Sequence, residues 1–438
     1  MRKNRVDIIT LGCSKNLVDS ELLMHHFITV GYQVFHDPER VCGEIVVINT
    51  CGFIGDAKEE SIETILRMVE AKKQGAIGQL YVMGCLSERY REELKKEIPE
   101  VDAYYGKFDW KNLVGNLTKA FLVDASGLRK ITTPQHYAYV KISEGCDRAC
   151  SYCAIPLITG KHKSRSIDNI IKEVTSLTDS GVKEIQLIAQ DLTYYGKDLY
   201  KRAALADLLR ELCTIDRLEW IRLHYAYPTQ FPLDILPVMA AEDKICNYLD
   251  IALQHASDNM LKIMRRGISR KETEALLSRI RQEVPGIHIR TTMMVGHPGE
   301  TESDFEELLD FVAAQRFERM GAFAYSHEDD TYSWKHYKDD IPLKIKKDRL
   351  SKLMKLQEGI TFDNAQQKVG QQQKVIIDRE DAEYYIGRTE FDSPDVDPEV
   401  LISKQGDLSI PLDIGQFYKA DIVDTIGFDL VAEIRNKT

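Results

Sequence analysis

Apolar positions fall into two rhythms along the chain. Residues 6–11, 44–49 and 79–83 are nearly unbroken apolar runs, the signature of strands covered on both faces, as in a parallel sheet. Between the last two, Ile62, Leu66, Val69 and Lys73 recur three or four apart, with Ile65 and Met68 beside them, predicting an amphipathic helix. The alternation continues to about Val123 and predicts an open parallel α/β layer.

Residues 125–135, with Ser126, Gly127, Thr132, Thr133 and Pro134, have the composition of a linker. Beyond it, strand-like runs at 137–142, 184–189, 220–224, 248–253, 287–295 and 320–325 alternate with helical patterns. These make about six β/α units, a partial barrel with chemistry expected at the carboxyl ends of its strands. A long polar helix over 343–367 leads to short runs at 374–378, 384–389, 400–403 and 417–426 between Gly and Pro turns, which predict a small terminal β-barrel. The expected domains are residues 1–124, 132–366 and 368–438, α/β in class overall.

Composition supports this division. The 438 residues allow roughly three domains of ordinary size, and 43% hydrophobic with 29% charged residues excludes a disordered chain. The basic start over residues 1–5 meets Asp7, Gly12, Ser14 and Lys15 before any apolar run of signal length develops. No stretch reaches the eighteen or so apolar residues that a spanning helix needs, so no membrane partner is expected and the protein is read as cytoplasmic. The net charge of −11 argues against broad nucleic-acid affinity. It is also concentrated: residues 371–438 carry 7 Lys and Arg against 15 Asp and Glu, a net −8, leaving 51 − 54 = −3 elsewhere.

Nine cysteines in a chain without an export signal point to metal binding or catalysis more than to disulfides. Cys13, Cys51 and Cys85 each lie just past a predicted strand, where loops converge in open α/β sheets; each could equally be a small buried hydrophobe. Cys146, Cys150 and Cys153 form a C-x3-C-x2-C loop directly after the strand over 137–142. A structural zinc would want a fourth ligand, and the nearest candidate, His162, lies beyond a turn at Gly160. Three thiolates on a four-iron cubane leave one iron open for chemistry. Cys213 sits at core spacing on a helix, while Cys42 and Cys246 precede strands. Residues 161–165 read as a solvated basic run, and His224 and His255 stand at strand ends where a site could use them.

This loop, after the first strand of a six-unit barrel and with aromatic Tyr152 before the third cysteine, resembles the radical S-adenosylmethionine (SAM) superfamily. The resemblance implies a 4Fe-4S cluster on Cys146, Cys150 and Cys153 that cleaves SAM to a 5′-deoxyadenosyl radical. It also implies SAM contacts at Tyr152, Gln190, Gln254, Gly296 and Glu300, from segments at the second, fourth and fifth strand ends. Gly296 and Gly299 fit close backbone approach to adenine; they fit a helix-entry turn before Glu300 and Glu302 equally well.

The three-domain order resembles the methylthiotransferases over nearly the whole chain. In that family the cysteines matching Cys13, Cys51 and Cys85 hold a second 4Fe-4S cluster, and the terminal barrel is a TRAM domain. Residues 11–21, 49–54 and 222–225 look like the RimO branch, whose substrate is an aspartate of ribosomal protein S-twelve of the small subunit. The tRNA-modifying branch usually carries an arginine where this chain has Ile54-Gly55-Asp56. One SAM is then expected to supply the radical that removes hydrogen from the β-carbon, and a second the methyl group. A one-electron donor such as flavodoxin or ferredoxin is an expected partner, and tRNA is not. An acidic terminal barrel suits a basic ribosomal protein, or serves solubility alone. The rival readings are a tRNA methylthiotransferase and a non-catalytic iron-sulfur carrier.

Overall fold

The first layer is five parallel strands, β1 (Arg2–Thr10), β2 (Gln33–His36), β3 (Gly43–Thr50), β4 (Gln79–Gly84) and β5 (Ala103–Tyr104), in the order β2-β1-β3-β4-β5. Helices α1 (Ser14–Thr29) and α4 (Trp110–Thr118) cover one face, where Leu23, Met24, Phe27 and Leu113 meet Val6, Ile8, Ile45 and Val47. Helices α2 (Gly55–Lys73) and α3 (Cys85–Glu97) cover the other over Ile9, Val46 and Ile48. Alternate β3 residues thus feed two cores, which explains its unbroken apolar run. The computed structural model describes residues 1–118, 128–405 and 411–434.

The face of α2 is turned from the expected one. Ser61, Thr64, Ile65, Met68 and Val69 point inward, whereas Ile62 and Leu66 are 37% and 50% exposed. Both stripes satisfy helical spacing, and the position of the sheet selects between them.

Of the expected linker, Ala125, Ser126 and Gly127 lie outside the described residues. The remainder is pinned: Arg129 pairs with Glu21 of α1 at 2.5 Å and with Glu173 at 3.0 Å, and Glu21 also accepts the Thr132 N–H at 2.7 Å.

The middle domain has six parallel strands, β6 (Tyr137–Lys141), β9 (Glu184–Ile188), β10 (Trp220–Ala226), β11 (Ile245–Ile251), β12 (His288–Val295) and β13 (Arg319–Ala324), in the order β13-β12-β11-β10-β9-β6. A small antiparallel pair, β7 (Ser143–Glu144) with β8 (Lys163–Ser164), follows β6. The helices are α5 (Ile155–Thr159), α6 (Ile167–Asp179), α7 (Leu205–Cys213), α8 (Leu236–Ala241), α9 (Asp258–Ile263), α10 (Arg270–Glu283), α11 (Glu302–Gln315), α12 (Tyr332–His336) and α13 (Leu343–Gln366). One core runs from Ala138 through Leu187, Leu223, Leu249 and Met293 to Phe317. The strand expected at 248 starts earlier, so Cys246 lies inside β11, buried beside Trp220 and Tyr248.

The last domain is a closed five-stranded barrel of β14 (Gln372–Glu380), β15 (Tyr384–Thr389), β16 (Val400–Ser403), β17 (Phe417–Ile426) and β18 (Asp429–Ile434). Its acidity is not simply an outward face. Asp378 and Glu184 of β9 share Arg388 at 2.6 and 2.7 Å, Asp392 holds Arg319 at 2.5 Å, and Asp397 accepts from Tyr248 Oη at 3.1 Å. Asp392 and Asp397 join the loop after β15, and Glu184 joins β15 itself, to the middle-domain strands. Phe391 of that loop stacks on His288 with centroids 4.1 Å apart.

Candidate active site

The first cysteine triad stands at the switch point of the first sheet. Helices leave β1 and β3 toward opposite faces, opening a crevice at the carboxyl ends of these neighbouring strands. Cys13 follows β1, Cys51 follows β3, and Cys85 opens α3 after β4. Close packing brings them together: a Cβ on Gly12 would lie 2.7 Å from Cys51 Cβ, and one on Gly52 would lie 2.6 Å from the Leu86 nitrogen and 2.8 Å from the Cys85 carbonyl carbon. Asn16 braces the loops, its Nδ2 donating to the carbonyls of Leu11 and Thr50 at 3.0 and 3.1 Å and its Oδ1 accepting from Cys85 Sγ at 3.5 Å.

Cys51 and Cys85 are buried, and Cys13 lies at the exposed lip. Burial pushes the Cys85 thiol up to about 12, with Cys13 and Cys51 adding to the effect. Burial and then Cys13 raise Cys51 as well. Enough protein surrounds Cys13 to raise its thiol, but the Lys15 and Lys107 ammoniums and nearby backbone N–H groups outweigh this and lower it.

The second triad occupies the loop after β7. Gly145 has φ +74°, and a Cβ there would meet the Lys161 carbonyl oxygen at 2.1 Å. The Cys146 N–H donates to the Gly160 carbonyl at 3.1 Å. Ser151, between the second and third cysteines, is held three ways: its N–H donates to Met264 O at 3.0 Å, its carbonyl accepts from Ser333 N at 2.7 Å, and its Oγ meets His297 Nε2 at 3.2 Å. Arg148 ties the loop to Asp191 at 2.7 Å. Burial pushes Cys146 up to about 11, and burial with the charges of Cys150 and Cys146 raises Cys153.

Both triads fit iron-sulfur clusters. Raised thiols ionise at neutral pH only when a cation takes the proton's place, which is what cluster irons do. Among the described residues no three His, Cys, Asp or Glu side chains converge as ligands of one ion; thiolates on separate irons of a cubane need no common centre.

The two triads are adjacent. Cys85 packs on Ala154 and Ile158, directly after Cys153. Lys58 and Arg89 of the first domain pair with Glu328 at 2.8 and 2.9 Å, and the Tyr90 hydroxyl donates to Asp329 at 2.9 Å. Buried charges continue inward: Lys107 donates to Asp19 at 2.9 Å, Lys141 pairs with both Asp19 and Glu144, and Glu144 accepts from Gln190 Nε2 at 3.1 Å. A cavity of about 400 Å³ opens beside Cys13, with Tyr139, His224, Tyr225 and Arg290 from the middle domain and Asp395 from the terminal one on its walls. Lys15 sits 3.3 Å over the Tyr225 ring.

The expected SAM-contact residues occupy varied settings. Gln190 Oε1 and Gln254 Oε1 are buried without a hydrogen-bond partner, as hooks for a ligand's donors would be. Tyr152 Oη accepts from Arg266 at 3.1 Å. Glu300 is engaged by the protein, accepting from the Gly296 N–H and Arg349 at 2.6 Å and lying 3.1 Å from His255. A Cβ on Gly296 would lie 2.4 Å from Lys346 Cγ, so the space beside it holds the Lys346 stem from α13. His224 faces the cavity and meets Gln186 at 2.7 Å.

Sequence reasoning missed Arg266 and Tyr227, which reach Cys150 Sγ at 3.3 Å, and Lys107. Tyr227 shortly follows His224-Tyr225 in a strand-end segment, a signal that could have found it. Nothing in the local pattern distinguishes Lys107.

A six-stranded parallel partial barrel with three cysteines in its first loop, joined to a second triad and a small barrel, defines a radical SAM enzyme of three domains. The radical SAM superfamily model matches residues 140–312, the Uncharacterized protein family UPF0004 model residues 5–106, and the TRAM domain model residues 369–434. Among solved structures, the radical SAM methyltransferase TsrM from Kitasatospora setae has TM-score 0.52 at 15% identity, covering 74% of this chain and 75% of that one. The cobalamin-dependent SAM radical enzyme OxsB has TM-score 0.51 at 14% identity, covering 81% and 56%. These two share the fold.

Sequence relatives are far nearer. Proteins named ribosomal protein uS12 methylthiotransferase RimO are 62% identical in Porphyromonas gingivalis (99% of this chain, 100% of the relative). Those of Bacteroides thetaiotaomicron are 59% identical (100% of each), and of Christiangramia forsetii 50% (100% and 96%). The chain belongs to the RimO family of radical SAM methylthiotransferases, with SAM and 4Fe-4S clusters as its cofactors.

Proposed function

We infer that this protein methylthiolates the β-carbon of an aspartate in uS12, the small-subunit protein S-twelve. The observation that carries the reading is the contact of Cys85 with Ala154 and Ile158: a triad suited to a sulfur-donating cluster abuts the loop suited to SAM cleavage. In this reading Cys146, Cys150 and Cys153 hold one 4Fe-4S cluster and Cys13, Cys51 and Cys85 the other. Bound SAM and clusters supply the radical, the sulfur and the methyl group.

The chain's part is placement. Ser151, Arg148 and Gly145 fix the cysteine loop, and Arg266 donates to Cys150 Sγ while the Tyr227 hydroxyl lies within hydrogen-bond distance of it. Gln190 and Gln254 turn free carbonyl oxygens toward SAM, beside Tyr152 and Gly296, while Glu300 orients His255 and Arg349. The target loop enters beside Cys13, in the cavity shared by all three domains; tight placement matters because a radical attacks the nearest hydrogen. The working units are residues 1–124, 132–366 and 368–438. No helix among the described residues is long and apolar enough to cross a membrane, and we place the reaction in the cytoplasm with flavodoxin or ferredoxin as electron donor.

Mass spectrometry of uS12 and of tRNA nucleosides from cells with and without the gene tests this. A methylthio mass gain on one uS12 aspartate, lost with the gene, is expected. An unchanged uS12 with loss of a methylthiolated tRNA base would transfer the same chemistry to the other branch.

A further inference from the structure

Among the described residues, Lys107 is the one lysine whose ammonium is wholly enclosed beside the first triad. It follows β5, and its side chain is 2% exposed. The Nζ donates to Asp19 Oδ2 at 2.9 Å and to Asn16 Oδ1 at 3.3 Å. That same Asn16 oxygen accepts from Cys85 Sγ at 3.5 Å, so one acceptor separates the ammonium from a ligand sulfur. Its charge acts on Cys13, Cys51 and Cys85 alike. Lys15, the other cation near Cys13, is only half-buried and also lies over the Tyr225 ring. Asp19 is shared between Lys107 and Lys141, and Lys141 also pairs with Glu144, so Lys107 is the cation at the Asn16 end of this line.

A buried cation interacts strongly with charge that changes beside it, since little water screens the pair. Three thiolates bring negative charge to this pocket, and each electron taken up by the cluster adds more. We propose that Lys107 is a positioning residue of the first-domain cluster, whose buried ammonium stabilises the cluster's reduced, more negative state and so sets its reduction potential above that of a site without the charge. Burial acts to lower the Lys107 pKa, but Asp19, Cys85 and Glu144 raise it well above the ordinary lysine value, so the charge persists across the working pH range. The inference rests on the assignment of Cys13, Cys51 and Cys85 as cluster ligands.

The test uses the full chain with Cys146, Cys150 and Cys153 replaced by Ala, which leaves only the first-domain cluster. In this background K107M, K107R and the double variant K107Q/D19N are reconstituted, and iron content and the dithionite titration followed by electron paramagnetic resonance are measured. The double variant removes Lys107 without leaving its aspartate partner charged. Expected are full iron in all three, a midpoint shifted to more negative potential in K107M, a smaller shift of the same sign in K107Q/D19N, and near-parental values in K107R. If K107M fails to fold, the comparison of K107Q/D19N with K107R decides. Unchanged midpoints with full iron would overturn the role of Lys107 and leave the cluster assignment standing. No iron in the parent background would overturn the assignment itself, and the inference with it.

Discussion

Gly12 shows how little room the first triad leaves. Its φ is +91°, and an added Cβ would fall 2.7 Å from Cys51 Cβ and 2.8 Å from its sulfur. A side chain there costs about 1–2 kcal/mol for the left-handed backbone alone and must also displace Cys51. G12A is therefore expected to behave as C51A does: the iron of one cluster is lost, SAM is still cleaved to 5′-deoxyadenosine, and no methylthio product forms. C150A is expected to abolish the cleavage. Iron analysis with chromatography of the nucleoside checks all three, and wild-type 5′-deoxyadenosine from C150A would sink the assignment of the second loop. The cysteines were legible because their spacing, or their place after a strand, is a local property. Arg266 and Lys107 were not, because each meets its partner across a contact between distant segments, at 116 residues for Arg266 and Cys150 and 91 for Lys107 and Asn16.

Helix α2 illustrates the limit at the scale of an element. Its existence follows from apolar spacing, yet Ile62 and Leu66 formed as good a stripe as Ile65, Met68 and Val69. The structure buries Ile65 completely and leaves Leu66 half exposed. I65A should cost about 2–5 kcal/mol, the range for a large core side chain cut to Ala, whereas L66K should change stability by less than about 0.5 kcal/mol. Thermal or denaturant melts distinguish them, and equal effects would mean the helix is turned as its other stripe suggests. The strands of the middle domain were readable because each is an apolar run bounded by polar turns. Strands β2, β5 and β18 were missed: β2 and β5 are short edge strands and β18 mixes acidic with apolar residues.

At the scale of the whole molecule, the terminal barrel is held by buried ion pairs. Burial works to raise the carboxyls of Glu184, Asp378 and Asp392, but Arg388 for the first two and Arg319 for the third outweigh it, so all three lie below the ordinary range. A depressed carboxyl contributes stability that is complete above its unfolded value, near pH 4, and is lost as pH falls toward the folded one. Acidification below about pH 4 should therefore release the terminal barrel. Trp220, whose ring lies 4.8 Å from Phe417 of that barrel, reports it when Trp110 and Trp334 are replaced by Phe. D392N should cost about 3–5 kcal/mol by leaving Arg319 buried without its partner and should make the acid transition shallower. A transition unchanged by D392N would mean that other contacts hold the domain.

The same pairs alter how the acidic terminal domain is understood. Its net charge is a sum over the sequence, but Asp392 and Asp397 are turned toward Arg319 and Tyr248 of the middle domain, and Asp378 toward Arg388 of its own barrel, which in turn holds Glu184 of the middle domain. The sequence by itself determined the three domains in outline, the parallel and barrel character of each, and the place of two sets of three cysteines after strands, because these depend on periodicity and spacing within short segments. Only the tertiary structure decided which helix stripe is buried, that the two triads touch through Cys85 and Ala154, and that Lys107, Asp19 and Lys141 form a buried charge line between them. Those outcomes depend on how separate elements pack, and a side chain's burial and charge partners exist only once that packing is made.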